Sequence, residues 1–292
     1  MKLLQGLGVA LITPFNEDET VDFSSLEKLV NYNIEGGVDY LVVLGTTAES
    51  ATLKAEEKRE IIECIKQTNN HRLPLILGIG GNHTAEIIRQ LQTTDLEAFS
   101  AILSVSPYYN KPSQEGIFQH YKALAKNSPK PIIIYNVPGR TSSNIEATTT
   151  LRMANEIENL LGIKEASGNF LQSTDILKNK PQDFILTSGD DEYALPVTLA
   201  GGDGVISVLG QALPEKVSQM IRLGLENKVQ DAYQIHYQIQ SLIRLIFAEG
   251  NPTGIKALLA LQGIIKTSNT RLPLVKATQQ LMDKLSSELK KL

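Results

Sequence analysis

Eight short apolar runs recur along the chain, at 8–13, 40–45, 75–80, 101–106, 131–137, 160–165, 184–188 and 204–208. Each is followed by a stretch with helical spacing. In the first such stretch Phe23, Leu26, Leu29, Val30 and Ile34 mark one helical face, which stops at Gly36-Gly37. Ile61, Ile62 and Ile65 mark the second, Ile87, Ile88 and Leu91 the third, and Ile117, Tyr121 and Leu124 the fourth. The stretches 145–157, 171–177, 193–199 and 217–225 complete the set. Eight strands alternating with eight helices predict an α/β fold of the (β/α)8, or TIM-barrel, type. The runs are continuously apolar, as strands covered on both faces require. An open doubly wound sheet is the alternative, but no G-x-G-x-x-G follows the first strand. Gly78-Ile79-Gly80-Gly81 has the wrong spacing and reads as a tight loop. Only helical patterns follow the eighth unit, at 232–247, 255–263 and 274–289, with Gly250-Asn251-Pro252-Thr253-Gly254 breaking the first two. The expected organisation is a barrel over 1–228 and a helical C-terminal appendage over 229–292.

The chain carries a net charge of -4, which argues against the basic face that nucleic-acid binding needs. Its one cysteine, Cys64, rules out an intrachain disulfide and reads as helix packing. His71, His83, His120 and His236 stand in no metal-ligand spacing, so no metal site is expected. Met1-Lys2-Leu3-Leu4 starts a short apolar run broken by Gln5-Gly6, which reads as a first strand rather than a signal peptide. No segment approaches the ~20 apolar residues of a membrane span. These features predict a soluble, cytoplasmic protein.

Within the sixth run, Lys164 is a lone charge among apolar residues. Strict alternation would place Leu160, Gly162, Lys164 and Ala166 on one face and Leu161 and Ile163 on the other. An amine buried there loses solvation of its charged form, so its pKa falls and it becomes a nucleophile suited to Schiff-base chemistry. The alternative is a lysine at a strand end, paired with Glu165 and reaching water.

Barrels of this type place their active sites at the C-terminal ends of the strands. There the sequence offers Gly45-Thr46-Thr47-Ala48-Glu49-Ser50, Ser106-Pro107-Tyr108-Tyr109-Asn110, Tyr135-Asn136-Val137-Pro138-Gly139-Arg140-Thr141, Lys164 and Gly189-Asp190-Asp191-Glu192. A lysine with the hydroxyls of Thr46, Thr47, Tyr109 and Tyr135 suits imine formation with proton transfer. Threonine and backbone donors after the second strand suit one carboxylate, and Arg140 suits a second in bidentate fashion. Taken singly, each residue has a structural alternative. Tyr135 fits a core aromatic, Thr46-Thr47 a cap and Arg140 a solvated loop. Asp190-Asp191-Glu192 reads as a helix N-terminus favoured by the macrodipole. Three carboxylates after strand seven also argue against a phosphate site there.

Together these residues resemble the pyruvate-dependent class I aldolases, the family of dihydrodipicolinate synthase and N-acetylneuraminate lyase. Gly45-Thr46-Thr47-x-Glu49 and the Tyr135…Lys164 spacing mark the superfamily, and Tyr135-Asn136-Val137-Pro138-Gly139-Arg140-Thr141 points to the synthase branch. The resemblance implies that Lys164 forms a Schiff base with pyruvate. It implies a proton relay of Tyr135, Thr46 and Tyr109, with Tyr109 reaching into a neighbouring subunit's site. It gives Thr47 and Ile206 contacts with pyruvate, makes Gly189 a pocket wall, and sets Arg140 on the carboxylate of L-aspartate 4-semialdehyde. The implied product is 4-hydroxy-tetrahydrodipicolinate, on the route to diaminopimelate and lysine. No metal or organic cofactor is implied, and the assembly implied is a homotetramer of tight dimers. A sibling aldolase acting on sugar acids is the alternative that Arg140 argues against. A non-catalytic pyruvate sensor or scaffold is the alternative that the full set Lys164, Tyr135, Thr46 and Tyr109 argues against.

The sequence departs from the family pattern at Ala48, where glycine is common, and at Thr253-Gly254. The resemblance also implies a possible effector site at Ser50, Ala51, Ala55, Lys58, Asn82, Glu86 and Tyr108. Ala55 and Lys58 stand where lysine-inhibited relatives carry histidines. Lys58 would repel a cationic ligand, so weak or absent inhibition by L-lysine is expected.

Overall fold

The computed structural model describes residues 4–292. Met1, Lys2 and Leu3, the start of the run expected to open the first strand, lie outside the described residues. Eight parallel strands close into a barrel in sequence order. They are β1 (Gly6–Ala10), β2 (Tyr40–Val43), β3 (Leu75–Gly78), β4 (Phe99–Val105), β5 (Ile132–Asn136), β6 (Leu160–Glu165), β7 (Ile185–Ser188) and β8 (Gly204–Ser207). Around them stand α1 (Phe23–Glu35), α2 (Ala55–Asn69), α3 (Thr84–Thr93), α4 (Gln114–Asn127), the single-turn α5 (Pro138–Thr141), α6 (Ala147–Glu156), α7 (Phe170–Asn179), α8 (Ala194–Leu199) and α9 (Pro214–Leu225). Then come α10 (Val229–Phe247), α11 (Thr253–Leu261) and α12 (Gln279–Leu289).

Local chemistry sets the helix starts. Asp22 caps α1 by accepting from the Ser25 N–H at 3.1 Å, Ser113 caps α4 through the Gly116 N–H at 3.2 Å, and Asn169 caps α7 through the Gln172 N–H at 3.2 Å. Proline at the first position opens α5 and α9. The last helix was expected from 274 but begins at Gln279, because Thr278 caps it by accepting from the Leu281 N–H and donates its own hydroxyl to Glu249.

Two apolar layers hold the fold. One lies between strands and helices, where residues such as Leu41, Ile102, Ile134, Ile163 and Leu186 meet the helix faces. The other fills the barrel with Tyr40, Val42, Ile76, Leu103, Ile133 and Ile206. Toward its lower end the Tyr40 ring takes the space beside Gly8, where an added Cβ would stand 2.0 Å from that ring.

The strict alternation expected for β6 does not hold. Ile132 pairs with Leu160 but Ile133 with Gly162, so Leu161 is an extra residue in the ladder. Leu160 therefore packs outward with Ile163, while Leu161 turns to the barrel interior. Beyond this bulge the register puts Lys164 beside Tyr135. Both stand in the interior at the C-terminal end of the barrel.

Candidate active site

Lys164 is 5% exposed, and its amine lies 4.4 Å from the centroid of the Tyr135 ring. Burial pushes its pKa down from 10.5 to about 7; the field of Asp191 opposes the fall and the charge of Arg140 adds to it. The expected alternative of a Lys164–Glu165 pair fails on direction. Glu165 points out of the barrel, where it accepts from Asn136 Nδ2 at 2.9 Å, Gln172 Nε2 at 2.9 Å and the Ser167 N–H at 2.7 Å. Consecutive strand residues face opposite sides, and among the described residues no carboxylate forms an ion pair with Lys164. Gly189 stands against the lysine stem, where a Cβ would come within 2.7 Å of Lys164 Cε. Any side chain there would displace the amine.

Tyr135 is 7% exposed. Burial raises its pKa, against the opposing influence of Arg140 and the Thr46 hydroxyl, so the phenol stays protonated at neutral pH. Thr46 and Thr47 lie on a 3-10 turn, Thr46–Ala48, that follows β2 and closes on Glu49 in the left-handed region at φ 55°. Thr46 is exposed at the mouth, whereas Thr47 is buried and accepts from Asn251 Nδ2 at 2.9 Å. Arg140 is exposed on α5 and donates to the Asn251 carbonyl at 3.2 Å. A cavity of ≈ 670 Å³ joins Thr46, Thr47, Tyr135 and Lys164 and runs outward between α2 and α3 past Ser50, Ala55 and Lys58.

Not every expected residue meets the lysine. Ile206 is wholly buried in the barrel filling. Tyr109 is 89% exposed in the left-handed region at φ 73°, and within one chain it stands apart from the Lys164 cavity. Among the effector candidates, Asn82 Nδ2 donates to the Tyr108 carbonyl at 3.1 Å, Glu86 is held by Arg89 at 2.6 Å, and Ala51 is exposed.

The acidic run after β7 is not the helix N-terminus that the sequence suggested, and its three carboxylates diverge. Asp190 accepts from the Glu192 N–H at 2.9 Å, and Glu192 pairs with Arg244 of α10 at 2.7 Å. Asp191 is buried and turns to the loop after β8, accepting from the Ser207 hydroxyl, from the Val208 N–H at 3.0 Å and from the Leu209 N–H at 3.2 Å. From the sequence Asp191 reads only as part of an acidic helix start and Asn251 only as part of a chain break, and neither reading carries a contact to the site. A third omission, Lys256, carried the same signal that marked Lys164, a lone charge in the apolar run 255–261.

The arrangement defines a class: (β/α)8 barrels whose pocket, at the C-terminal ends of the strands, centres on an unpaired lysine beside a tyrosine and a threonine turn. Within that class, the sequence pattern of the Dihydrodipicolinate synthetase family matches residues 3–292, and the chain belongs to that family. It is 52% identical to the 4-hydroxy-tetrahydrodipicolinate synthase of Flavobacterium psychrophilum over 292 residues, spanning 100% of this chain and 99% of the relative. Among solved structures, the chloride-inhibited dihydrodipicolinate synthase of Acinetobacter baumannii complexed with pyruvate is 39% identical. It superposes with a TM-score of 0.95 over 99% of each chain. A monomeric dihydrodipicolinate synthase variant, 35% identical, superposes with a TM-score of 0.95 over 98% of this chain and 96% of its own.

Proposed function

We infer that the chain is a lyase that condenses pyruvate with L-aspartate 4-semialdehyde to give 4-hydroxy-tetrahydrodipicolinate, in the route to diaminopimelate and lysine. The observation that carries this reading is Lys164, enclosed and unpaired, with a pKa near 7, beside a protonated Tyr135. A neutral amine attacks the keto carbon of pyruvate while its carboxylate rests on the donors of the Thr46–Ala48 turn. The carbinolamine loses its hydroxyl as water once a proton arrives, which in this reading comes from the Tyr135 phenol. The resulting imine withdraws electrons from the methyl carbon, which loses a proton to give the enamine. That carbon then attacks the aldehyde of the second substrate, whose carboxylate Arg140 engages, and a proton from the relay quenches the new alkoxide. The amino group of the second substrate adds to the imine carbon and expels Lys164, closing the ring and restoring the enzyme. One water leaves per turnover. The lysine imine is the electron sink, so the reading calls on no metal or organic cofactor.

Thr46 links Tyr135 to the mouth, where the relay continues to solvent through Tyr109. Its full exposure in one chain fits a side chain that completes a neighbouring subunit's site, in a cytoplasmic homotetramer of tight dimers. The decisive experiment incubates the protein with pyruvate and borohydride and compares it with Lys164→Ala by peptide mass. A reduced pyruvyl adduct on Lys164, absent from the variant, is expected, followed by consumption of L-aspartate 4-semialdehyde in the unreduced enzyme. No adduct on folded protein overturns the imine mechanism. An adduct with no turnover of that aldehyde, but with sugar-acid cleavage, moves the assignment to a sibling aldolase.

A further inference from the structure

Glu49 follows the turn that holds Thr46 and Thr47, yet it takes no part in the chemistry above. Its N–H donates to the Thr46 carbonyl at 3.1 Å, which closes the turn, and its own φ of 55° is a conformation that L side chains rarely adopt. Its side chain leaves the cavity and enters a buried compartment under α11. There one carboxylate oxygen accepts from Lys256 Nζ and the other from the Arg271 N–H at 2.9 Å. Lys256 is 0% exposed, donates also to the Asn269 carbonyl at 2.8 Å and lies 4.1 Å from the centroid of the Phe15 ring. Five residues earlier Asn251 grips Thr47 itself. The segment 251–256 thus meets the turn at two points, one on a substrate-facing hydroxyl and one on the residue that ends the turn.

Energetics separate two roles for this pair. Two charges removed from water recover little net stability over two apolar side chains of similar size, so anchoring α11 does not require an ion pair. An apolar pair would leave the direction of residue 49 open, whereas a carboxylate with fixed donors on both oxygens has one orientation. Displacements near 1 Å of a positioning group cost on the order of 10²-fold in rate, so fixing this turn matters to catalysis. We propose that the buried Lys256–Glu49 pair is a positioning device through which the C-terminal helices hold the Thr46–Thr47 turn in register with Lys164 and so set the enzyme's hold on pyruvate. The proposal rests on the reading of Lys164 as the pyruvate-binding amine.

The test uses Glu49→Gln, which keeps shape and an acceptor for Arg271 but removes the charge, and the apolar double variant Glu49→Leu with Lys256→Met. Three quantities are measured: the urea midpoint, KM and kcat for each substrate, and the pyruvate concentration giving half-maximal borohydride trapping on Lys164. The double variant is expected to unfold near the wild-type urea concentration while its half-maximal pyruvate concentration rises about tenfold or more. Glu49→Gln is expected between the two, with KM for the aldehyde moving less than KM for pyruvate. Folded variants with wild-type pyruvate dependence overturn the proposal and leave the pair a structural strut. If the double variant does not fold, Glu49→Gln alone decides by the same criterion. Wild-type protein that traps no pyruvate overturns the functional reading, and this one with it.

Discussion

Lys164 and Lys256 are two buried lysines of one chain, the first inside the barrel and the second on α11, and each has its amine over an aromatic ring, Tyr135 in one case and Phe15 in the other. Burial lowers both pKa values, to about 7 and about 8. Their partners differ. Lys256 donates to Glu49 and to the Asn269 carbonyl, and it is not among the residues that line the Lys164 cavity. Lys164 opens onto the cavity, and its neighbours are a phenol and a threonine turn. A depressed amine pKa therefore does not by itself mark a nucleophile. Commitment of the amine's protons to fixed acceptors ties one lysine to the turn it positions, and the lack of such acceptors among the described residues leaves the other free to react.

Methionine at each position should separate the two most sharply. Lys164→Met should abolish the pyruvate adduct and lower turnover by on the order of 10⁴-fold or more. It should also stabilise the fold. The lysine's pKa is 10.5 when solvated and about 7 when folded, so the unfolded chain binds more protons between those values. The cost of burying Lys164 is complete below pH 7, shrinks as pH rises and vanishes above 10.5. Its removal should raise unfolding stability by about 2–4 kcal/mol at pH 7, with the gain shrinking toward alkaline pH. Lys256→Met should do the opposite and destabilise by about 3–5 kcal/mol, because the buried Glu49 side chain loses its ion-pair partner and keeps only the Arg271 N–H. Urea titrations at pH 7 and pH 9.5 check both. Shifts of the same sign would dissolve the contrast between a reactive and a paired lysine.

The rings offer the next cut. Tyr135→Phe gives Lys164 the same ring that faces Lys256, keeping the aromatic face and removing the hydroxyl. Turnover at saturating substrates should fall about 10²-fold or more, while the trapped adduct, slower to form, keeps its mass and position. Unchanged turnover would reduce Tyr135 to packing.

A smaller effect should come from Asp191, whose field supports the charged form of Lys164. Asp191→Asn withdraws that support, so the lysine should lose its proton at lower pH. The acid limb of kcat/KM for pyruvate, expected near pH 7 in the wild type from the lowered pKa of Lys164, should move down by up to about one unit. A move upward would show that the contacts of Asp191 with Ser207, Val208 and Leu209 outweigh its charge.

The contrast also explains how far the sequence could be read. The eight-fold beat of apolar runs pointed to the barrel, because burial on both faces leaves continuous apolar strands and the glycine fingerprint of a doubly wound sheet is missing after the first of them. Lys164 stood out as a charge in such a run. Lys256, in Ile255-Lys256-Ala257-Leu258-Leu259, obeyed the same rule and passed unnoticed, because its partners Glu49 and Asn269 are far from it along the chain. Long-range pairing also hid Asn251 and Asp191, whose acceptors and donors lie on other loops. The bulge at Leu161 was illegible for a different reason. One inserted residue changes which face each neighbour takes, and only the pairing with β5 reveals it. Boundaries at α5 and α9 were missed although Pro138 and Pro214 marked them.

A third lysine extends the comparison to a site that is neither enclosed nor paired deep in the fold. Lys58 is half-buried on α2, and with Ser50 and Ala55 it lines the outer limb of the cavity that ends at Lys164. Lys66 lines the same limb but is tied to Asp95 at 3.0 Å. A cationic amino acid entering beside Lys58 meets a like charge, which costs affinity and slows encounter. Sub-millimolar L-lysine is therefore expected to leave turnover unchanged, and Lys58→Ala to make inhibition stronger if it changes it at all. Initial rates across an L-lysine titration, at low and at 0.5 M salt, decide the point. Salt should weaken a repulsion of this kind, since charges on an open cavity wall are screened over about 10 Å at 0.1 M and less at higher ionic strength. Strong inhibition of the wild type by L-lysine would mean that Glu86, although held by Arg89 at 2.6 Å, is released to the ligand, and that Lys58 is turned away when the site is filled.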